Sequence, residues 1–204
     1  SVLLREAGVH PNGTWLVAEG ADACRLTRSV PLAKALADTL VAYGQNGEAL
    51  RSSQGYPLRL FVPGWEGNIS VKWLRRIEVV DEPYMTREET SKYTDPLGDG
   101  STVRQFSFVM DARSIITDPA YPRVIEPGWH EIRGLAWSGR GRITRVDIST
   151  DGGASWHAAD LQAPVLPKAH VRFRYLWNWT GGPGEIMSRA TDETGYVQPT
   201  WDAL

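Results

Sequence analysis

The residues best placed to do chemistry lie in one stretch, Gly55-Tyr56-Pro57-Leu58-Arg59-Leu60-Phe61-Val62-Pro63-Gly64-Trp65, followed by Ser70-Val71-Lys72-Trp73-Leu74-Arg75-Arg76-Ile77. An apolar strand runs into a Pro-Gly turn, and a second strand follows with basic residues at its start. Guanidinium and ammonium groups set beside the backbone N–H groups of a turn suit a phosphate-bearing ligand. The same pattern also describes a solvated strand edge. Spacing alone leaves both readings open.

Other motifs are weaker. Ser149-Thr150-Asp151-Gly152-Gly153-Ala154-Ser155-Trp156 fits the Ser-x-Asp-x-Gly-x-Ser/Thr-Trp box of sialidase-like propellers, but a propeller needs several copies and this chain has one. Hairpin chemistry explains each residue: Asp151 accepts turn N–H bonds, Gly153 takes positive φ, and Trp156 folds back on the strands. His10, His130, His157 and His170 are scattered, with no metal-ligand spacing among them. There is no Gly-x-Ser-x-Gly elbow, Walker loop or dinucleotide fingerprint.

The elements that must carry these residues fall into two regimes. Through Val79, short strands (Thr14 to Ala18, Leu40 to Tyr43, Leu58 to Val62, Val71 to Val79) mix with a short helix over Pro31 to Ala37, and Asn46-Gly47 signals a turn. From Asp81 to Ser101 the pattern turns polar, with Pro83, Pro96 and Gly98-Asp99-Gly100, as in a linker or extended excursion. Beyond it come strand candidates at Val103 to Met110, Ser114 to Thr117, Gly128 to Ala136, Arg142 to Ser149, Trp156 to Ala159, Arg172 to Trp179 and Gly184 to Ala190. That spacing predicts an immunoglobulin-like β-sandwich. The first regime reads as an α/β or α+β segment, and the fold class expected for the whole is α+β, with segments 1–80, 81–102 and 103–204.

Composition bounds the function. The 204 residues are 42% hydrophobic and 23% charged with net charge -2, ordinary for a globular protein and too acidic for a general nucleic-acid binder. The apolar runs are short and broken, so no transmembrane helix is expected. No secretory signal stands at the start, and the chain opens inside an element, which points to a processed or trimmed product. Cys24 is the only cysteine, excluding an internal disulfide and a cysteine-based metal cage.

Trp15-Leu16-Val17-Ala18-Glu19-Gly20-Ala21-Asp22, Ser29-Val30-Pro31-Leu32, Ala42-Tyr43-Gly44-Gln45-Asn46-Gly47 and the basic stretch, in that order, resemble the molybdopterin-dependent sulfite oxidase family. Gly134-Leu135-Ala136-Trp137-Ser138-Gly139, Arg145 to Ser149 with Asp151-Gly152-Gly153, and Gly195-Tyr196-Val197-Gln198-Pro199 resemble that family's dimerisation domain. Arg75-Arg76-Ile77-Glu78-Val79 and Thr90-Ser91-Lys92-Tyr93-Thr94-Asp95 look nearest to its bacterial sulfane dehydrogenase branch. The resemblance implies a partial molybdopterin domain over 1–80, an active-site excursion over 81–102 and a dimerisation sandwich over 103–204.

It also implies roles. Asp22 matches the acidic residue that contacts the pterin, and Arg59 suits the cofactor phosphate as a bidentate donor. Ser70, Val71 and Lys72 match a segment where backbone groups and an ammonium meet the cofactor. Gln54 stands where sulfite oxidases usually carry histidine, so it can donate a hydrogen bond but cannot titrate near neutral pH. Tyr93 falls at the active-site tyrosine. The family's metal-binding cysteine lies well upstream of the Asp22 motif, so no metal ligand is expected in this chain. The implied activity is oxygen-atom transfer to sulfite or sulfane sulfur, with an anionic sulfur substrate, electrons passing to a c-type cytochrome, a homodimer and a periplasmic location. The alternatives from other classes are a non-catalytic β-sandwich assembly module and a carbohydrate-binding domain.

Overall fold

Leu16, Val17 and Ala18 are all buried, a continuous apolar run that marks the centre of a sheet. In the computed structural model, which describes residues 2–97 and 103–200, this run is strand β1 (Trp15–Gly20). After the short helix α1 (Val2–Ala7), β1 pairs antiparallel with β2 (Thr27–Pro31) on one side and with a later strand, Leu74–Val80, on the other. Between them lie helix α2 (Leu32–Ala37), β3 (Leu40–Ala42), the hairpin of β4 (Gly44–Gln45) and β5 (Glu48–Ala49), and β6 (Arg59–Phe61), which pairs with β3. Leu74–Val80 is then β7. Asn46 and Gly47 both take positive φ (54° and 81°), as a two-residue hairpin turn demands. Leu16, Ala18, Val30, Leu60, Val62, Ile69 and Val71 form the core beneath.

The excursion after β7 is structured. Glu88–Lys92 makes a single π-helical turn, and β8 (Thr94–Pro96) pairs with β9 (Arg104–Phe106). The strand expected over Val103 to Met110 therefore forms only at its start, and it pairs with β8 instead of the sandwich. The reason is aromatic: Phe108 stacks on Trp65 at 4.4 Å, and Phe106 meets Trp15 edge-on at 6.2 Å. The Gly98-Asp99-Gly100 cluster lies outside the described residues.

The chain divides into two units, 1–108 and 109–204. The second is an antiparallel sandwich made of β10 (Arg113–Asp118), β11 (Gly128–Trp137), β12 (Ile143–Ser149), β13 (His157–Ala158), β14 (Asp160–Gln162), β15 (Val171–Trp179) and β16 (Met187–Asp192). One sheet runs β10-β11-β15-β14 and the other β13-β12-β16. Ile132, Ala136 and Phe173 from the first meet Val146, Ile148 and Ala190 from the second in a fully buried core. The class is α+β with a β-sandwich. No helix among the described residues is long and apolar enough to cross a membrane.

Candidate cofactor site

Two glycines let three segments of the first unit converge. At the bulge that ends β1, a Cβ on Gly20 would sit 2.9 Å from the Lys72 carbonyl oxygen and 3.0 Å from Asp22 Oδ1. Gly55 has φ +106°, and a Cβ there would lie 2.8 Å from Lys72 Cβ. The absence of both side chains brings the Asp22 loop and the turn at 52–55 against the strand entry at 70–73.

Three successive carbonyls of that turn then act as acceptors. Ser52 O accepts from Trp73 Nε1 at 2.9 Å, Ser53 O from Lys72 Nζ at 3.0 Å, and Gln54 O from Arg59 Nη1 at 3.2 Å. Arg59 Nη2 also donates to Ser70 O at 3.3 Å, while Ser70 Oγ accepts from Val62 N at 3.0 Å. Lys72 Nζ lies 4.6 Å from the Trp73 ring. Arg59 Nε is buried with no hydrogen-bond partner, and burial pushes the guanidinium below its usual pKa. Two cations are thus held side by side with donors still uncommitted.

Asp22 stands at the edge of this group. Its Oδ1 accepts from Leu26 N at 3.2 Å and its Oδ2 from Cys24 Sγ at 2.9 Å. That bond and the carboxylate charge push the Cys24 thiol up from its ordinary pKa. The structure therefore brings Asp22, Gln54, Arg59, Ser70, Val71 and Lys72 into one neighbourhood. Gln54 meets Arg59 through its backbone carbonyl, and its exposed side chain makes no hydrogen bond among the described residues.

None of these contacts among the described residues involves Tyr93. It closes the π-turn, its N–H donating to Glu88 O at 2.9 Å, and its ring lies 5.4 Å from the guanidinium carbon of Arg28. Arg28 is 0% exposed, and none of its three guanidinium nitrogens has a hydrogen-bond partner among the described residues. Burial pushes its pKa down, opposed chiefly by the charge of Glu89. Glu89, also buried, accepts from Ser29 N, from Ser29 Oγ at 3.1 Å and from Thr86 N at 3.1 Å. Sequence reasoning missed Arg28, Glu89 and Trp73. The readable signal was an arginine inside the short strand that ends at Val30-Pro31, where a solvated residue has no place.

The Asp151 turn is tied mainly to itself, with Gly152 N donating outward to Glu185 O at 3.2 Å. The carboxylate accepts from Ser155 N at 2.9 Å, Ser155 Oγ at 2.6 Å and Ser149 Oγ at 2.7 Å, and Trp156 Nε1 donates to Gly153 O at 3.0 Å.

Comparison with known proteins gives the family. Residues 1–88 match the family model described as oxidoreductase molybdopterin binding domain, and residues 104–204 match the Mo-co oxidoreductase dimerisation domain. The chain is 37% identical to mitochondrial sulfite oxidase of Drosophila melanogaster, over 97% of its own length and 39% of that protein's. It is 36% identical to sulfite oxidase of Gallus gallus, over 84% of its length and 40% of the relative's. The chain belongs to the molybdopterin-dependent sulfite oxidase family, whose cofactor is the molybdenum cofactor. Within that family it is similar to the sulfane dehydrogenase SoxCD of Paracoccus pantotrophus. The crystal structure of that protein superposes with a TM-score of 0.94 at 54% identity, covering 99% of this chain and 52% of the other. The chain thus spans about two fifths of the curated relatives' length and about half of the solved structure's.

Proposed function

We propose that the protein carrying these residues is a molybdopterin-dependent oxidoreductase acting on a sulfur substrate, with sulfane sulfur favoured over free sulfite. The carrying observation is the convergence of Arg59 and Lys72 on one turn, with the Asp22 loop against the same strand entry, inside a domain of molybdopterin-binding type. The orphaned Arg59 Nε and the two glycine approaches fit a phosphate-bearing group. The sulfane preference is supported by the 54% identity to a sulfane dehydrogenase, against 37% and 36% to the sulfite oxidases.

In this reading Arg59 and Lys72 bind the phosphate end, and Asp22 accepts from the pterin ring. The backbone at Ser70 and Val71, together with Gln54, completes the wall. When bound, the cofactor supplies two-electron oxygen-atom transfer to sulfur. Tyr93 offers a phenol O–H that orients the substrate and can hold or release a proton beside it. Cations lining the pocket attract an anionic substrate. The dimerisation-type sandwich supports a homodimer. A c-type cytochrome acceptor and a periplasmic setting belong to the same proposal, supported by the resemblance to the bacterial branch.

Molybdenum measured by mass spectrometry on the full-length protein, purified from cells that make the cofactor, tests this reading. Near-stoichiometric metal is expected. In Lys72→Ala, loss of a charge-assisted bond should weaken retention by roughly tenfold. No molybdenum in the parent would sink the enzymatic reading, and unchanged occupancy in the variant would remove Lys72 from the site.

A further inference from the structure

Arg28 is buried in the middle of β2 with every guanidinium nitrogen lacking a hydrogen-bond acceptor among the described residues. A buried cation in that state is costly unless its charge acts on something nearby. Four side chains, Glu89, Glu66, Tyr93 and Glu88, lie in its field, and two of them are also held against β2. One is the Tyr93 ring, whose centroid is 5.4 Å from Arg28 Cζ, within reach of a cation–π contact. The other is Glu89, whose negative charge is the strongest influence favouring the charged guanidinium.

Glu89 balances that charge without capturing it, because its oxygens are engaged by Ser29 N–H, Ser29 Oγ and Thr86 N–H. Ser29 Oγ in turn accepts from Tyr84 N at 3.1 Å, and Thr86 Oγ1 donates to Thr27 O at 3.2 Å. Three successive residues of one edge strand, Thr27, Arg28 and Ser29, therefore meet the segment that ends at Tyr93. Thr27 and Ser29 fasten its start, and Arg28 lies under its last ring. The segment includes a π-turn, a costly local geometry often kept where a side chain must be aimed. Tyr93 is 41% exposed, so its phenol remains open to solvent while the ring is carried from below.

We infer that Arg28 and Glu89 are positioning residues for Tyr93: Glu89 ties the π-turn to β2, and the Arg28 guanidinium carries the phenol ring. This rests on Tyr93 being a catalytic group. A guanidinium held by its own hydrogen bonds would present a fixed edge to the ring; an unbonded one can meet the ring with its face. The ring lies within cation–π reach of that buried charge, whose chief balancing carboxylate is Glu89.

The test uses the full-length, cofactor-loaded protein in a double-mutant cycle of Arg28→Met and Tyr93→Phe, with Arg28→Lys as the charge-preserving control. Arg28→Met should lower kcat between roughly tenfold and a hundredfold, the range a small misplacement produces, with KM and molybdenum content unchanged. Arg28→Lys should restore most of the loss. In the Tyr93→Phe background, Arg28→Met should have no further effect. A parental kcat in Arg28→Met, or losses that simply add, would overturn the inference while leaving Tyr93 its role. A parental kcat in Tyr93→Phe would overturn both. A readout independent of turnover is 3-fluorotyrosine placed at position 93. Its fluorine resonance should move in Arg28→Met, return toward the parent in Arg28→Lys, and shift or broaden in Glu89→Gln. A resonance unmoved in Arg28→Met overturns the inference, and if Arg28→Met fails to fold, a resonance unmoved in Glu89→Gln overturns it.

Discussion

Asp151 carries a charge its turn depends on. The hydroxyl of Ser155, then its N–H, then the Ser149 hydroxyl pull the carboxyl down from 3.8 to about 2. A depressed folded value means a contribution to stability that is present above the unfolded value and lost as pH falls through the folded one. The window is therefore between about pH 4 and about pH 2. Asp151→Asn should lower Tm at neutral pH, and the gap to the parent should close across that window; thermal melts at successive pH values measure it. The side chain is fully exposed, so solvent screens the turn and the effect should be modest. Arg28 is the opposite case at this scale, a charge with no solvent at all.

Elements were legible where their cause was local. Asn46-Gly47 announced a hairpin because both residues tolerate positive φ, and the box around Asp151 announced a turn because its acceptors and donors lie within six residues. The π-turn at Glu88–Lys92 was invisible because its anchor, Ser29, is sixty residues upstream in sequence. For the same reason β9 was assigned to the wrong neighbour: its alternation marks a strand, while its partner is chosen by the aromatic contacts of Phe106 and Phe108 with Trp15 and Trp65. A prediction follows from the anchor. Ser29→Ala removes a buried donor to Glu89 and an acceptor for Tyr84 N–H, which should cost about 1–3 kcal/mol of local stability. Amide hydrogen exchange over residues 84–94 should report it as lost protection, with the β11 and β15 amides unchanged.

For the molecule as a whole, each unit has its own apolar core. Phe173 is the largest apolar side chain sealed in the sandwich, so Phe173→Ala should cost about 3–5 kcal/mol there, read from exchange of the β11 and β15 amides under mild denaturant. The candidate site was half legible. Asp22, Arg59 and Lys72 were found because their types and order resemble a known pattern, and Gly20 and Gly55 supply the close approach that unites them. Arg28 escaped because no strand was read over Thr27–Pro31, so nothing set that arginine inside a sheet. The Cys24–Asp22 bond has a consequence for handling. With its thiol held protonated by a neighbouring carboxylate, the chain's one sulfhydryl is a reluctant nucleophile despite its exposure. Copies that meet in aerated buffer through this face should part again on dilution instead of becoming locked together by oxidation.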